Sequence, residues 1–593
     1  MKRVRGQHSV TVAQSWVCQS CRRRPRLQPE CQSPSLPRVR LLGQARFTST
    51  STSTAPTRLP SIPARTRFAP SPTGDLHLGS IRTAAFNYLL AKRTGGQFLL
   101  RLEDTDQKRT VPGAEQRLYD DLRWAHLFWD EGPVVGGPHG PYRQSERLAI
   151  YQTHIKHLLD RGHAYRCFCS PERIDDLNRR RHEKGLSLGY DRKCAHLPHD
   201  EADQRAHDGE AHVVRFRAPP QWPRYTDLVY GKTGHGAARA KKLLVDEPVW
   251  DDAVLVKSDG FPTYHWANVC DDFEMQISHV VRGSEWMPST PLHIALYQAM
   301  GWQAPHFAHV PLLVDAAGQK LSKRTHSTHV SGYRQQGLFP EAVVNFAALL
   351  GWSHRQKSDV MDLPALEAAF DLKITRGNTI VAFDKLGFLQ NQHAKRRIAA
   401  NGPEFEQLIR DVAVALLDRH GAGRIMAFLG QRKLRDVVAA MLQVDSFKFW
   451  TPKDFAEQCD LFLNETFTRP PVPEDAKDPE LRVAAASLTL VPEKEWTEQQ
   501  HRAGLALLEN AHGPARKEWK RNLYHYMRWA LLGGVSGPAI PKVMEILGRQ
   551  ICVERIQSAA RDVEINQKTG AVVGTDHDDN DNDSDNDRRV LAV

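Results

Sequence analysis

Apolar positions divide this chain into a part that alternates strands with helices and a part that reads as helices alone. Arg65 to Ala69 suits a short strand, two prolines and Gly74 then force a turn, and Ile81, Ala84, Ala85, Tyr88 and Leu89 recur at i, i+3, i+4, i+7 and i+8. The order is strand, tight loop, helix, with the helix expected to begin near Ser80. Gly95 and Gly96 stop it, and Gln97 to Leu102 reads as a buried strand. Such a unit predicts a parallel sheet, and ligands collect at the carboxyl ends of such strands, where Glu103 to Asp106 falls. From about Tyr165 to Trp250 the pattern turns polar and broken, as an insertion would. The sheet is then expected to resume with Ala253 to Val256, followed by a turn over Ser258 to Pro262 and a helix capped by Thr263. A strand over Ile277 to Arg282, a helix over Ser289 to Gly301 and a strand over His309 to Val314 complete this part. Past about residue 375 amphipathic stripes take over. Phe405, Leu408, Ile409, Val412 and Leu416 form one; Leu434, Val437, Val438, Met441 and Leu442 a second; Leu523, Met527, Ala530 and Leu531 a third. Packing accounts for each, so periodicity alone predicts a helical domain without a task.

Charge changes the picture chiefly at the ends. The 593 residues carry a formal net charge of +11, but residues 1 to 60 hold eleven Lys and Arg against the single acid Glu30. That leader is rich in Arg, Ser and Thr, the composition of a mitochondrial transit peptide over residues 1–50, with cleavage expected near Arg46 to Ser53. A basic arm that binds RNA is the competing reading. Residues 61 to 575 carry 67 Lys and Arg against 61 Asp and Glu, so bulk charge says little about RNA and any RNA-binding surface must come from local clustering. Asp576 to Asp587 alternates Asp with Asn and Ser, as a solvated tail does. Nine cysteines, an odd number, do not form a secreted disulfide framework. No apolar run approaches the ~20 residues a bilayer-spanning helix needs.

The candidate chemistry lies in two stretches. A helix starting near Ser80 aims backbone N–H groups and the positive end of its dipole at the preceding loop, where phosphate binds well. His77 can donate to a phosphate oxygen, and Gly79 lets a nucleotide approach the backbone. Far downstream stands Lys320-Leu-Ser-Lys-Arg324. Together with Arg67-Phe-Ala-Pro-Ser-Pro-Thr-Gly-Asp-Leu-His-Leu-Gly-Ser80, it resembles the two ATP-binding motifs of a class I aminoacyl-tRNA synthetase. The form Pro70-Ser-Pro-Thr-Gly74 narrows the resemblance to the bacterial and organellar, hence mitochondrial, type of glutamyl-tRNA synthetase. The likeness continues through Arg101 to Asp106 and Gly137 to Ser145.

The resemblance implies an α/β fold in which a Rossmann-type catalytic domain, with an inserted acceptor-end-binding domain, precedes an all-α anticodon-binding domain. The expected layout is catalytic first half 61–164, insertion 165–250, catalytic second half and stem-contact region 251–375, anticodon-binding domain 376–570 and acidic tail 571–593. It implies ATP with Mg2+, glutamate and tRNA(Glu) as partners, and leaves open whether tRNA(Gln) is also charged with glutamate. A matrix location and a monomer are expected. His77, Gly79, Lys320 and Lys323 would be catalytic, and Ser80, Trp286, Leu321 and Ser322 would join them around ATP. Glutamate would meet Arg67, Ala69, Ser71, Glu103, Tyr264, Asn268 and Arg282.

Chemistry supports these roles independently. When a carboxylate attacks the α-phosphate of ATP, charge builds on the leaving phosphates, and lysines there stabilise it. Glutamate differs from glutamine by a charge, which a guanidinium fork reads in a bidentate way. Tyr264 and Asn268, four apart on a predicted helix, can face one pocket. Ser80 stands where the class motif has histidine, at the loss of one phosphate donor. Gly231-Lys-Thr233 resembles part of a P-loop but lacks its earlier glycine, so it reads as a turn. Cys167-x-Cys169 and Cys194-x-His196 supply the ligand set of a tetrahedral zinc site, with unliganded thiols as the alternative. Rival functions are a glutamylating paralogue that modifies a tRNA base, a glutaminyl enzyme, and an inactive synthetase-like RNA-binding protein. The helical carboxyl-terminal part disfavours the first, Pro-Ser-Pro-Thr-Gly the second, and the intact motifs the third.

Overall fold

The computed structural model describes residues 59–234, 251–321, 329–464, 467–511 and 516–572. The leader, the acidic tail, Ser322 and Lys323 lie outside the described residues.

Among the described residues eleven strands run in chain order as β1 Arg65–Phe68, β2 Gln97–Leu100, β3 Ala164–Cys167, β4 Val213–Phe216, β5 Tyr225–Asp227, β6 Gly231–Thr233, β7 Val254–Val256, β8 His279–Gly283, β9 His306–Val310, β10 Leu313–Val314 and β11 Thr379–Ile380. β1 pairs with β2 in parallel, Arg65 opposite Gln97, and β8 pairs with β9 in parallel, His279 opposite His306. The two pairs lie side by side, where Ser278 N–H donates to the Arg65 carbonyl at 3.0 Å. Helix Leu78–Arg93 connects β1 to β2 and buries eleven residues on all its faces. The strands cover one side of it and helix Pro340–Leu349 another, which explains why its apolar positions exceed a single stripe.

The insertion is built around an antiparallel sheet of order β3-β4-β7. Here the structure differs from the sequence expectation: β7 does not resume the parallel sheet but pairs antiparallel with β4, Val256 opposite Val214. A short apolar run looks the same whichever sheet it joins. The segment that does return to the parallel sheet is the β5–β6 hairpin, where Leu228 N–H donates to the Phe307 carbonyl of β9 at 2.8 Å. Gly231-Lys-Thr233, read as a turn, is β6 itself. The strand expected over His309 to Val314 is divided between β9 and β10. Thr263 precedes helix Tyr264–Glu274 as expected, but its hydroxyl donates to the Val254 carbonyl at 2.8 Å and makes no cap bond.

Beyond β11 the described residues are helical, and the three stripes enter one core that extends from Phe339 to Val563. The last helix, Ile540–Val572, breaks at Gly548, whose φ of +79° suits a residue without Cβ. A Cβ there would sit 2.6 Å from Cζ of Arg432, whose guanidinium donates to the Ile546 carbonyl at 2.6 Å. No helix among the described residues is long and apolar enough to cross a membrane.

His501 is a costly member of this core. It is 0 % exposed, neither ring nitrogen has a hydrogen-bond partner among the described residues, and its ring stands edge-on to Trp496 at 4.3 Å. Burial pushes its pKa down to about 4, so the folded protein holds it neutral while the unfolded chain protonates near 6.5. Stability from this group is complete above 6.5 and is lost as pH falls toward 4. His501→Phe should therefore stabilise more at pH 5 than at pH 7.5, by about 1–2 kcal/mol. Denaturant unfolding at both pH values checks this; an equal gain at each would disprove it.

Candidate active site

A cleft of about 460 Å³ opens at the carboxyl ends of β1 and β8, against the first turn of helix Leu78–Arg93. Arg67, Ala69, Ser71, Glu103, Tyr264, Asn268 and Arg282 line it together with His77, Gly79, Ser80, Trp286, Lys320 and Leu321. Residues expected around glutamate and residues expected around ATP thus share one cavity.

At the phosphate-motif end, the helix begins two residues earlier than expected, at Leu78, which makes His77 its N-cap. The Ser80 N–H donates to His77 Nδ1 at 3.3 Å, which assigns the ring proton to Nε2. A Cβ on Gly79 would stand 3.1 Å from Cε1 of that ring, so glycine keeps the imidazole in its cap position. β10 leads through a turn at Asp315 to Lys320, which bridges back to Val314. Further along the chain, His329 bridges His77, and Val330 N–H donates to the Leu76 carbonyl at 2.9 Å. Leu321 thus lines the cleft on one side of residues 322–328, and on the other side His329 pairs with His77, which also lines it.

At the other end two arginines differ in their partners. Arg67 is neutralised: its Nε and Nη2 meet the two oxygens of Asp272 at 3.0 and 3.2 Å. Arg101 Nη1 shares that carboxylate at 2.7 Å. Burial opposes the Asp272 charge, but the guanidinium groups of Arg67 and Arg101 outweigh it and hold its carboxyl below the usual range. Arg282 has no ion pair with a carboxylate among the described residues. Its guanidinium faces His309, His293, Thr290 and Tyr264, at 3.2, 3.3, 2.8 and 3.5 Å. Burial, reinforced by Arg282 itself, lowers the pKa of His293, and burial also lowers that of His309, so both rings are neutral at pH 7. Among the described residues, Arg282 is thus a buried positive charge without a counter-ion of its own.

Glu103 accepts from Asn268 Nδ2 at 3.2 Å and from Arg101 Nη2 at 3.2 Å, although burial outweighs these partners and raises its pKa. The Tyr264 and Trp286 rings lie 4.2 Å apart and form an aromatic wall between the two ends. Sequence reasoning missed Arg101, Asp271, Asp272 and Arg147, the last of which donates to Asp271 at 2.7 Å. A signal existed: Asp271 and Asp272 continue the helical face of Tyr264 and Asn268. Without their arginine partners in view, they read as ordinary acids at a helix end.

The cysteine cluster forms, but with a corrected membership. Sγ atoms of Cys167, Cys169 and Cys194 lie within 4.8 Å of one another, and His196, exposed on its short helical turn, does not join them. The Tyr190 hydroxyl stands there instead, 3.2 Å from Cys167 Sγ and 3.7 Å from Cys169 Sγ. Sequence proximity to Cys194 says nothing of direction: the turn over Lys193–His196 buries the thiol and turns the imidazole outward.

Residues 63–386 match the family described as tRNA synthetases class I (E and Q), catalytic domain, and residues 422–560 match an anticodon binding domain. The chain is 38% identical over 525 residues to the mitochondrial glutamate–tRNA ligase of Saccharomyces cerevisiae, covering 86% of this chain and 92% of that protein. Its identity to the mitochondrial glutamate–tRNA ligase of Schizosaccharomyces pombe is 39%, over 83% of this chain and 90% of that one. The crystal structure of a glutamate-tRNA synthetase from Elizabethkingia anophelis superimposes with a TM-score of 0.65 at 31% identity, covering 84% of this chain and 99% of that chain. The parallel sheet with its paired motifs and the helical part behind it make this a class I tRNA synthetase. Within that class, the chain belongs to the glutamate–tRNA ligase family, and its activity is the ATP-dependent attachment of glutamate to tRNA(Glu).

Proposed function

We propose that glutamate activation takes place in this cleft, with Arg282 pairing the substrate carboxylate that distinguishes glutamate from glutamine. Arg67, Ala69, Ser71, Glu103, Tyr264 and Asn268 complete the amino-acid end. His77, donating from Nε2, acts with Lys320 and Lys323 on the phosphates; Gly79, Ser80, Trp286, Leu321 and Ser322 frame the nucleotide. The other substrate carboxylate attacks the α-phosphate, pyrophosphate leaves, and the acyl group passes to the terminal ribose of tRNA. Magnesium, when bound with ATP, supplies further charge neutralisation on the phosphates. The observation that supports this reading best is the unneutralised Arg282 at one end of a cleft whose other end holds His77 and Lys320.

The protein acts in mitochondria, in accord with its yeast relatives, and we place it in the matrix, as a monomer. Residues 165–250 serve the acceptor end, 251–375 include the stem contact, 376–570 read the anticodon, and 1–50 and 571–593 are leader and tail. The cysteine cluster fits zinc: thiolates about 2.3 Å from a tetrahedral ion stand about 3.8 Å apart. Cys169 and Cys194 Sγ are separated by 3.6 Å, and the Tyr190 oxygen lies beside the cluster. Zinc there would clamp β3 to the turn at Cys194. About one zinc per purified chain is expected, and well under one removes the site. Charging assays with glutamate and glutamine on mitochondrial tRNA should give glutamyl-tRNA(Glu) alone or with glutamyl-tRNA(Gln). Glutaminyl-tRNA as product would sink the pocket assignment.

A further inference from the structure

We propose that Asp227 is a positioning residue for Arg282, acting through the ring of His309. The inference rests on the reading that Arg282 meets the substrate carboxylate. Asp227 ends β5, in the stretch that leaves the insertion, while Arg282 and His309 lie opposite each other on β8 and β9. Both Asp227 and His309 are fully buried. One carboxylate oxygen, Oδ1, accepts the backbone N–H groups of Val229 and Tyr230 at 2.9 and 2.8 Å. The other, Oδ2, accepts the His309 backbone N–H at 3.2 Å and lies 2.7 Å from His309 Nδ1.

This geometry selects one tautomer. An ionised carboxylate can only accept, so Nδ1 carries the ring proton and Nε2 is left as an acceptor. Nε2 stands 3.2 Å from Arg282 Nε, which can only donate. Thr290 Oγ1 accepts from Arg282 Nη2 at 2.8 Å and fixes the fork on its other edge. A guanidinium without a carboxylate partner is thereby held by acceptors that cost the pocket no positive charge. The ring of His309 transmits the polarity of Asp227 to the arginine: reverse the tautomer, and a donor faces a donor.

Asp227→Asn performs that reversal with the shape conserved. The Asn oxygen must take the Oδ1 place, because two backbone N–H groups point at it. Its NH2 then faces Nδ1, which moves the ring proton to Nε2, against Arg282 Nε–H. The expected result in steady-state aminoacylation with full-length protein is a rise in glutamate KM of roughly 10- to 100-fold, the worth of a hydrogen bond to a charged group. The ATP KM should be unchanged. Adding His309→Gln, whose amide oxygen can stand where Nε2 stood, should return the glutamate KM to near the wild-type value. Equal rises in both KM values, an unchanged glutamate KM, or no rescue by His309→Gln would each overturn the proposal. If Asp227→Asn does not fold, His309→Leu and His309→Gln pose the same question: leucine should raise the glutamate KM and glutamine should not, and equal values overturn the proposal. Arg282→Ala separates the two levels. If it also leaves the glutamate KM unchanged, the pocket reading fails; if it raises that KM while Asp227→Asn does not, only the positioning role fails.

Discussion

Arg282→Ala will raise the KM for glutamate by roughly 10²-fold or more while the KM for ATP stays near its wild-type value. The magnitude follows from what surrounds the guanidinium. It is buried, its neighbours His293, His309, Thr290 and Tyr264 are uncharged, and no carboxylate pairs with it among the described residues. A substrate carboxylate arriving there meets a positive charge in a low-dielectric site, and truncation removes the whole attraction. The same surroundings make the variant a clean one. No acid is orphaned when the arginine goes, so stability should change little. Arg67→Ala is expected to behave differently, because it strips one partner from the buried Asp272 and leaves that carboxylate to Arg101 alone, which should lower stability as well as binding. Arg282→Lys should not restore binding, since a point ammonium lacks the fork that His309 and Thr290 orient. Glutamate titrations at saturating ATP check all of this; equal changes in both KM values would remove Arg282 from the amino-acid end.

Lys323→Ala will slow glutamate-dependent ATP–pyrophosphate exchange by about 10² to 10³, the cost of losing one preorganised donor to charge that develops in the transition state. The effect belongs in kcat, because leaving-phosphate charge is largest after the ground state has been passed. Lys320 and Leu321, just before Lys323 in sequence, line the cleft, and His329 pairs with His77. The described residues on either side therefore join the imidazole-bearing turn and β10, which also borders the cleft. A Lys323→Ala enzyme with undiminished exchange would take the lysine out of the chemistry.

Local chemistry was legible in the chain itself. The turn with His77 and Gly79, the helix after it, the second motif at Lys320 and the stripes of the helical part each depend on residues near one another in sequence, where prolines, glycines and helical periodicity act directly. Those features were sufficient to predict a parallel sheet, a helical part behind it, and residues that meet in one cleft. Partner choice was beyond their reach. β7 joined the insertion's sheet, because an apolar strand accepts any edge that presents matching backbone groups and a cover for its side chains. The cysteine cluster has the Tyr190 hydroxyl beside it where His196 was expected, because a single helical turn decides which side chain faces inward. Above all, Arg67 and Arg282 are alike as sequence, each an arginine next to the last residue of a strand. Only folding placed Asp272 against the first and neutral histidines against the second, since charge compensation depends on groups that tertiary contacts bring within a few ångströms.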